Sequence, residues 1–478
     1  MPVTGPELFT ALTGGAPGAP AVLTGDGATV ARGGLAAWTD PWARALDRPR
    51  KALIVCFAGR SAATVQCWLA ALRLGHAVAM FDAAAPAAVR DRFLAAYRPD
   101  LIAWCPDDGR LPGAPPAGYH AVDQPVPAAA LWQRDDPSPV QPHPDLALVL
   151  STSGSTGSPK AVRLSYANLA ANSAAVAASL DVTPADRAVT SLPLHFGYGL
   201  SVLSSHLVAG GSVAVIPDRP TGLAFWRRFA RAGCTGFAGV APTYELLSRM
   251  LTDLDRVPGL RVMTCSGSRL RGELVVRFAD WLARRGGRLY MMYGQTESTS
   301  RIACLPPRHL GDRLGSVGTA IPGGRISIEG GAQTAGDGRS GEIVYQGPNV
   351  MLGYAEDRAD LALGDTNGGV LHTGDLGYLD DGFLYLTGRS KRIAKVLGVR
   401  ISLDDVEWLF EDAGTVAVVD GGDRLVVFTD GPAEPVEQAR VPVAAKLGIP
   451  ATLLTVRAIP ALPRTPNGKL DYRSLAID

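Results

Sequence analysis

The run from Ser151 to Lys160 reads STSGSTGSPK, a string of hydroxyl side chains and two glycines closed by a lysine, placed directly after the apolar stretch Leu146 to Leu150. Gly154 and Gly157 permit backbone angles that turn several N–H groups toward one anion, while Thr152, Ser153, Ser155 and Thr156 add hydroxyl donors. Lys160 adds a mobile positive charge. The chemistry of such a run is phosphate binding. Its spacing departs from GxxxxGK[ST], and Ala161 follows the lysine, so this is not a Walker loop. The same composition also suits a flexible surface turn, and the rest of the chain has to decide between the two.

Four more segments follow in order: YGQTES from Tyr293, GEIVYQGPNVMLGY from Gly341, LHTGDLGYLDDGFLYLTGRSKRIAKVLGVRIS from Leu371 and LPRTPNGKLDY from Leu462. Together with the first run they resemble the adenylate-forming superfamily, which contains acyl- and aryl-CoA synthetases, adenylation domains of nonribosomal peptide synthetases and firefly luciferase. The five matches span residues 150–472.

The resemblance implies that a carboxylate attacks the α-phosphorus of ATP to give an acyl-adenylate and pyrophosphate, after which the acyl group passes to a thiol. Charge builds on phosphate and carboxylate oxygens in the first step, so donors and cations must be held ready. On this reading the loop from Thr152 to Lys160 holds the β- and γ-phosphates. Glu297 is the magnesium ligand, a carboxylate suiting a hard ion that bridges triphosphate oxygens, and Thr296 touches the α-phosphate. Tyr293, with Gly294 and Gln295 beside it, stacks on the adenine, and Ser266, Gly267 and Ser268 line the base's other side. Asp375 accepts from the ribose hydroxyls and Arg389 adds a ribose or phosphate contact. Lys391 takes the hinge position. Lys469 reaches into the site to bridge carboxylate and α-phosphate, its charge strengthened by desolvation.

SLPLHFGYGLSVL matches the stretch where an aromatic gate meets the acyl pocket, with Phe196 as the gate and His195 and Tyr198 beside it. GFAGVAPTYELL supplies a further wall, including Gly239 and Val240. Amino-acid-activating relatives place an Asp near here to pair with the substrate's ammonium, and this stretch has no Asp or Glu. The expected acid is therefore a fatty or aryl carboxylate with an uncharged body. CoA or the phosphopantetheine of a separate carrier protein is the expected acceptor. An amine acceptor, an unusual oxyacid such as nitrite, and a non-catalytic nucleotide-binding relative are the alternatives, the last disfavoured by the presence of Lys469, Glu297 and Asp375.

These residues need elements to position them. The chain has 478 residues, 47% of them hydrophobic, enough for a large core and more than one domain. Lys and Arg number 46 against 45 Asp and Glu, which removes the charge argument for a nucleic-acid or membrane-surface partner and favours a small partner, which the resemblance makes a small-molecule acid. Apolar β-type runs alternate with helical patterns, as in parallel sheets with helices packed on them. In GELVVRFADWLARRGGRLYMMYGQTE, Leu274, Val275, Phe278, Trp281 and Leu282 share a helical face before a strand over Leu289 to Met292, so that Tyr293 to Glu297 fall at a strand's carboxyl end, where ligands of open α/β sheets bind. The expected fold is α/β: a large N-terminal domain of packed, mostly parallel sheets over 1–389, a hinge at 390–391, and a small mobile α+β domain over 392–478. Val189 to Pro217 carries no charged residue, yet its prolines, histidines and glycines argue for buried core rather than a membrane span. Six scattered cysteines and no basic-plus-apolar leader point to reduced thiols in the cytoplasm.

Lys469→Ala is expected to abolish acid-dependent pyrophosphate release while largely sparing thioester formation from supplied acyl-adenylate. Equal loss of both half-reactions removes Lys469 from its assigned role.

Overall fold

The computed structural model describes residues 3–151, 160–250, 257–330, 340–389, 392–396, 399–422, 424–465 and 470–475. They form two compact units, Met1–Gly311 with Ala320–Gly324 and Gln346–Leu371, and Asp312–Thr319 with Arg325–Tyr345 and His372–Asp478.

In the first unit an eight-stranded sheet has at its centre the strands Leu146–Ser151, Ala77–Asp82, Leu53–Ala58 and Leu101–Cys105, all parallel. Residues of Leu53–Ala58 alternate between two cores: Ile54, Cys56 and Ala58 face one, Leu53, Val55 and Phe57 the other. Burial on both faces is why these strands read as unbroken apolar runs. Helix Ala62–Arg73 covers the first face and helix Ala87–Tyr97 the second, through Phe93 and Tyr97.

The margins are antiparallel. Ala161–Ser165 returns beside Leu146–Ser151 with Ser151 opposite Ala161, and Gly353–Ala355 pairs in turn with Ala161–Ser165. Parallel pairing thus holds the centre of this sheet and antiparallel pairing its margins, because a hairpin closes in a few residues whereas a parallel partner needs a long crossover. The strand Ala161–Ser165 stands between Lys160 and the helix Tyr166–Ser179, which begins on a capping box formed by Ser165 and Asn168. Arg163 hides that strand from a pattern reading. It is buried, with Nε donating to Tyr354 O (3.0 Å) and Nη2 to Leu352 O (3.2 Å).

A second set of strands, Gly236–Gly239, Val262–Cys265 and Arg288–Tyr293, runs parallel, and Ala303–Leu305 turns back beside the last. Helix Gly272–Ala283 joins the second and third and buries all five apolar residues of its expected face. Within Val189 to Pro217 lie the buried helix Gly197–Val208 and the buried strand Ser212–Ala214. Among the described residues no helix is long and apolar enough to cross a membrane.

In the second unit the strands lie in the order Ser316–Ala320, Phe383–Arg389, Val370–Asp380, Gly341–Gln346 and Arg325–Glu329. The part after residue 392 has its own core: Ala394, Val396, Ile401, Val406 and Phe410 pack with the sheet Val416–Asp420, Leu425–Thr429 and Leu454–Ala458 and the helix Ala433–Leu447. This is the compact α+β arrangement expected from its sequence.

His76 is locked in the first unit as a neutral imidazole. Nδ1 accepts from Ala52 N–H (3.2 Å) and Nε2 donates to Leu46 O (3.0 Å). Burial, more than any other cause, holds its pKa below the ordinary histidine value of 6.5. The unfolded chain therefore binds this proton more readily, so the contribution is complete above about pH 6.5 and falls as acid approaches the folded value, by up to about 1.4 kcal/mol per pH unit for one proton. Denaturant titrations at pH 7.5 and 5.0 are expected to show lower stability in acid, with a smaller difference in His76→Gln. Equal stability at the two pH values contradicts the assignment.

Candidate active site

The strand Arg288–Tyr293 delivers Tyr293, buried, at its last position, and the chain then folds into the tight turn Thr296–Ser298. Gly294 has no room for a side chain, since a Cβ there would collide with Ser300 and meet Arg301 Cα at 2.6 Å. Two consecutive non-glycine residues then take positive φ, Thr299 at 58° and Ser300 at 142°. Each costs about 1–3 kcal/mol and persists only where its surroundings enforce it.

The enforcement comes from GPNVMLGY. Asn349 is buried, donates through Nδ2 to Ser298 O and Arg301 O (2.8 Å each), and accepts at its backbone O from Thr299 Oγ1 (2.7 Å). Met351 N donates to Glu297 O (2.8 Å). Asn168 holds the same segment from the other side, Nδ2 donating to Pro348 O and Val350 O (2.8 Å each). The sequence reading gave neither asparagine a role. A polar residue between Gly347–Pro348 and an apolar run was the only available signal.

Pairing of Gly353–Ala355 with Ala161–Ser165 sets Tyr354 opposite Val162. The Lys160 ammonium lies 3.7 Å from the Tyr354 ring centroid, and the Tyr354 hydroxyl donates to Glu297 Oε1 (2.9 Å). Lys160 and Glu297, 137 positions apart in sequence, are thus joined through one tyrosine. Burial first, then the Glu297 charge, push the Tyr354 pKa up, so the phenol stays a donor. No described lysine or arginine pairs with Glu297, whose second oxygen is left available. One half-buried carboxylate with a free oxygen fits magnesium, which keeps waters and phosphate oxygens for most of its shell.

The gate and base-lining residues are also brought together. A Cβ on Gly267, whose φ is 82°, would touch Phe196 Cζ (3.7 Å) and Val240 Cγ1 (3.6 Å). Ser266 N donates to Gly239 O (3.4 Å), and Ser268 Oγ accepts from Ala241 N (3.0 Å). Gly197, next to Phe196, leaves ordinary contact room only against Leu150, Thr299 and Ser300. Tyr198 is buried, its hydroxyl donating to Thr264 O (2.9 Å). His195 is set differently: its ring lies near Ala58, Asp82 and Cys56, burial lowers its pKa, and Nδ1 has no partner among the described residues.

In the second unit Asp375 and Arg389 face each other across paired strands, Arg389 Nε to Asp375 Oδ1 being 3.0 Å. Asp375 is buried while Arg389 is largely exposed, so the guanidinium is free to turn to another anion. Further along, partly buried Glu407 accepts from Arg392 Nη2 (2.9 Å), Val418 N (2.8 Å) and the Tyr472 hydroxyl (3.0 Å). It ties Arg392 to Tyr472. Thr152, Ser153, Gly154, Ser155, Thr156, Gly157, Lys391, Gly398 and Lys469 lie outside the described residues.

This fold and site define an adenylate-forming enzyme. The family described as AMP-binding enzyme matches residues 12–355. The sulfoacetate–CoA ligase of Cupriavidus necator is 34% identical over 396 residues, 78% of this chain and 72% of the relative. The 2-succinylbenzoate–CoA ligase of Bacillus licheniformis is 34% identical over 266 residues, 55% of this chain and 54% of the relative, so that match spans about half the relative's length. The o-succinylbenzoate CoA synthetase of Bacillus subtilis, solved with its acyl-adenylate intermediate, superposes with a TM-score of 0.76 at 22% identity, covering 99% of this chain and 98% of that one. It has also been solved with ATP and a magnesium ion. The chain belongs to the AMP-binding enzyme family, and is an AMP-forming acid–thiol ligase.

Asn349→Ala removes the side-chain donor from the Arg301 carbonyl and leaves Ser298 O with only the 3.3 Å bond from Arg301 N. At about 1–3 kcal/mol for an unsatisfied group, the expected loss is about 1–3 kcal/mol in denaturant titration, with a fall of at least ~10-fold in the rate of pyrophosphate release. Wild-type stability and rate in this variant contradict the clamp.

Proposed function

We propose that this protein ligates a small organic acid to CoA through an acyl-adenylate. A carboxylate oxygen attacks the α-phosphorus and pyrophosphate leaves. The CoA thiolate then attacks the acyl carbonyl and AMP leaves. The observation that carries this reading is the Lys160–Tyr354–Glu297 chain, which sets a cation for the β- and γ-phosphates beside a carboxylate for the metal. Magnesium, when bound, neutralises charge on the triphosphate.

The residue roles follow. Thr152, Ser153, Gly154, Ser155, Thr156, Gly157 and Lys160 cradle the phosphates, Thr296 orients the α-phosphate, and Tyr293 with Gln295 and Ser266 to Ser268 encloses the base. Asp375 takes the ribose hydroxyls and Arg389 swings from it to a phosphate or ribose oxygen. Phe196, with Gly239 and Val240, closes the acid pocket. Residues 392–478 act as a lid that turns about Lys391, presenting Lys469 for the first step and withdrawing it for the second, since one lid cannot hold that ammonium in place and open a thiol path at once. Both named relatives use CoA, which favours CoA over a carrier protein. Six free, buried cysteines fit a reducing cytoplasmic setting.

The test is AMP and pyrophosphate formation with a panel of fatty, aryl and dicarboxylic acids and nitrite, each with CoA, a phosphopantetheinylated carrier protein or a free amine. The expected outcome is acid-dependent, one-to-one formation of AMP and acyl-CoA. AMP formed only with an amine or only with carrier protein contradicts the CoA assignment, and no AMP with any acid contradicts ligation itself. Glu297→Gln is expected to lower adenylation by at least ~100-fold.

A further inference from the structure

Arg301 is the group that the adenylation chemistry leaves unexplained. It is 1% exposed, and among the described residues no carboxylate pairs with it. Its guanidinium stacks on the Tyr198 ring, 3.9 Å from the centroid. Nε donates to the weak acceptor Met292 Sδ (3.4 Å) and Nη1 to Ser300 O (2.8 Å), which leaves Nη2 without an acceptor among the described residues. A buried charge without a counter-ion is costly, and a desolvated cation–π contact returns only part of that cost. An anion beside Nη2 closes that gap.

There is space for one. Arg301 and Tyr198 line a cavity of about 30 Å³, with Thr264, Ala238, Val176 and Val202 among its other walls. That is room for about two waters, comparable to one compact anionic group. The cavity is mainly apolar, so a charge entering it is weakly screened. Asp186 also lines it, but its carboxylate is taken by Thr183 N (2.9 Å) and Oγ1 (2.8 Å). The cavity adjoins the acid gate: Tyr198 and Ala238 share an apolar cluster with Val240, on which Phe196 packs.

We infer that Arg301 receives a second anionic group of the substrate, so that this enzyme selects short acids carrying a carboxylate or sulfonate at the end opposite the reacting carboxylate. The inference rests on the ligase reading and replaces the uncharged body expected from the stretch around Phe196. Absence of Asp and Glu there disfavours an ammonium, and Arg301 adds a requirement for negative charge. Arg301 is a specificity-determining residue rather than a participant in phosphoryl chemistry.

Acids matched in size test this: sulfoacetate, malonate and succinate against propionate and butyrate, in acid-dependent pyrophosphate release by the full chain. The wild type is expected to favour the dianions by at least ~100-fold in kcat/KM. Arg301→Gln is expected to lose that preference, mostly through KM, while changing monoanion turnover less than ~3-fold, and Arg301→Lys to keep part of it. Thermal shift without ATP gives a readout free of turnover, with the dianions raising Tm in the wild type but not in Arg301→Gln. A wild type that favours monoanions, or a variant that loses both acid classes equally, overturns the inference and leaves ligation standing. Arg301-dependent stabilisation by dianions with no turnover of any acid upholds the anion site and overturns ligation.

Discussion

The turn from Gly294 to Arg301 is the constraint on which the site depends. It carries the carboxylate of Glu297 at its outer edge and the buried Arg301 at its inner end, and it passes between them through two non-glycine residues at positive φ. Such a conformation holds only under external restraint. The restraint comes from a segment about fifty positions further along the chain, through Asn349 and the backbone of Met351. A turn fixed in this way cannot relax when charge develops beside it, and preorganisation of that kind contributes most to electrostatic catalysis.

The same remote segment does a second task. After Asn349 and Met351 it becomes the edge strand Gly353–Ala355, and pairing there puts Tyr354 between Lys160 and Glu297. One stretch of nine residues therefore both braces the turn and links it to Lys160. Asn168, which caps the helix following that loop, anchors the stretch through Pro348 and Val350. In the second unit partly buried Glu407 plays a comparable part, gathering Arg392 and Tyr472 around one carboxylate. Loops that bind substrate gain their precision from such neighbours, because their own backbone offers little.

Much of the fold was legible because it is written in local pattern. The five-residue face of helix Gly272–Ala283 and the apolar run of Leu53–Ala58 follow from periodicity alone. The strand Ala161–Ser165 did not, since Arg163 interrupts it and only distant carbonyls make a buried arginine tolerable there. Tyr293, Thr296, Glu297, Asp375 and Arg389 were legible as members of ordered motifs. Asn168, Asn349, Tyr354 and Arg301 were not, because each acts through partners far away in sequence. A hydrogen-bonded asparagine and an exposed one look alike in a string of letters.

Sequence alone determined the class of chemistry. A hydroxyl- and glycine-rich run ending in lysine can be read as suited to phosphate from residue type and order, and the ordered motifs after it carry the resemblance that assigns the carboxylates their roles. Tertiary structure decided which groups meet, which are strained and which charges lack a counter-ion. Those properties depend on distance and burial, and burial turns Arg301 from one arginine among many into a cation without a carboxylate beside it.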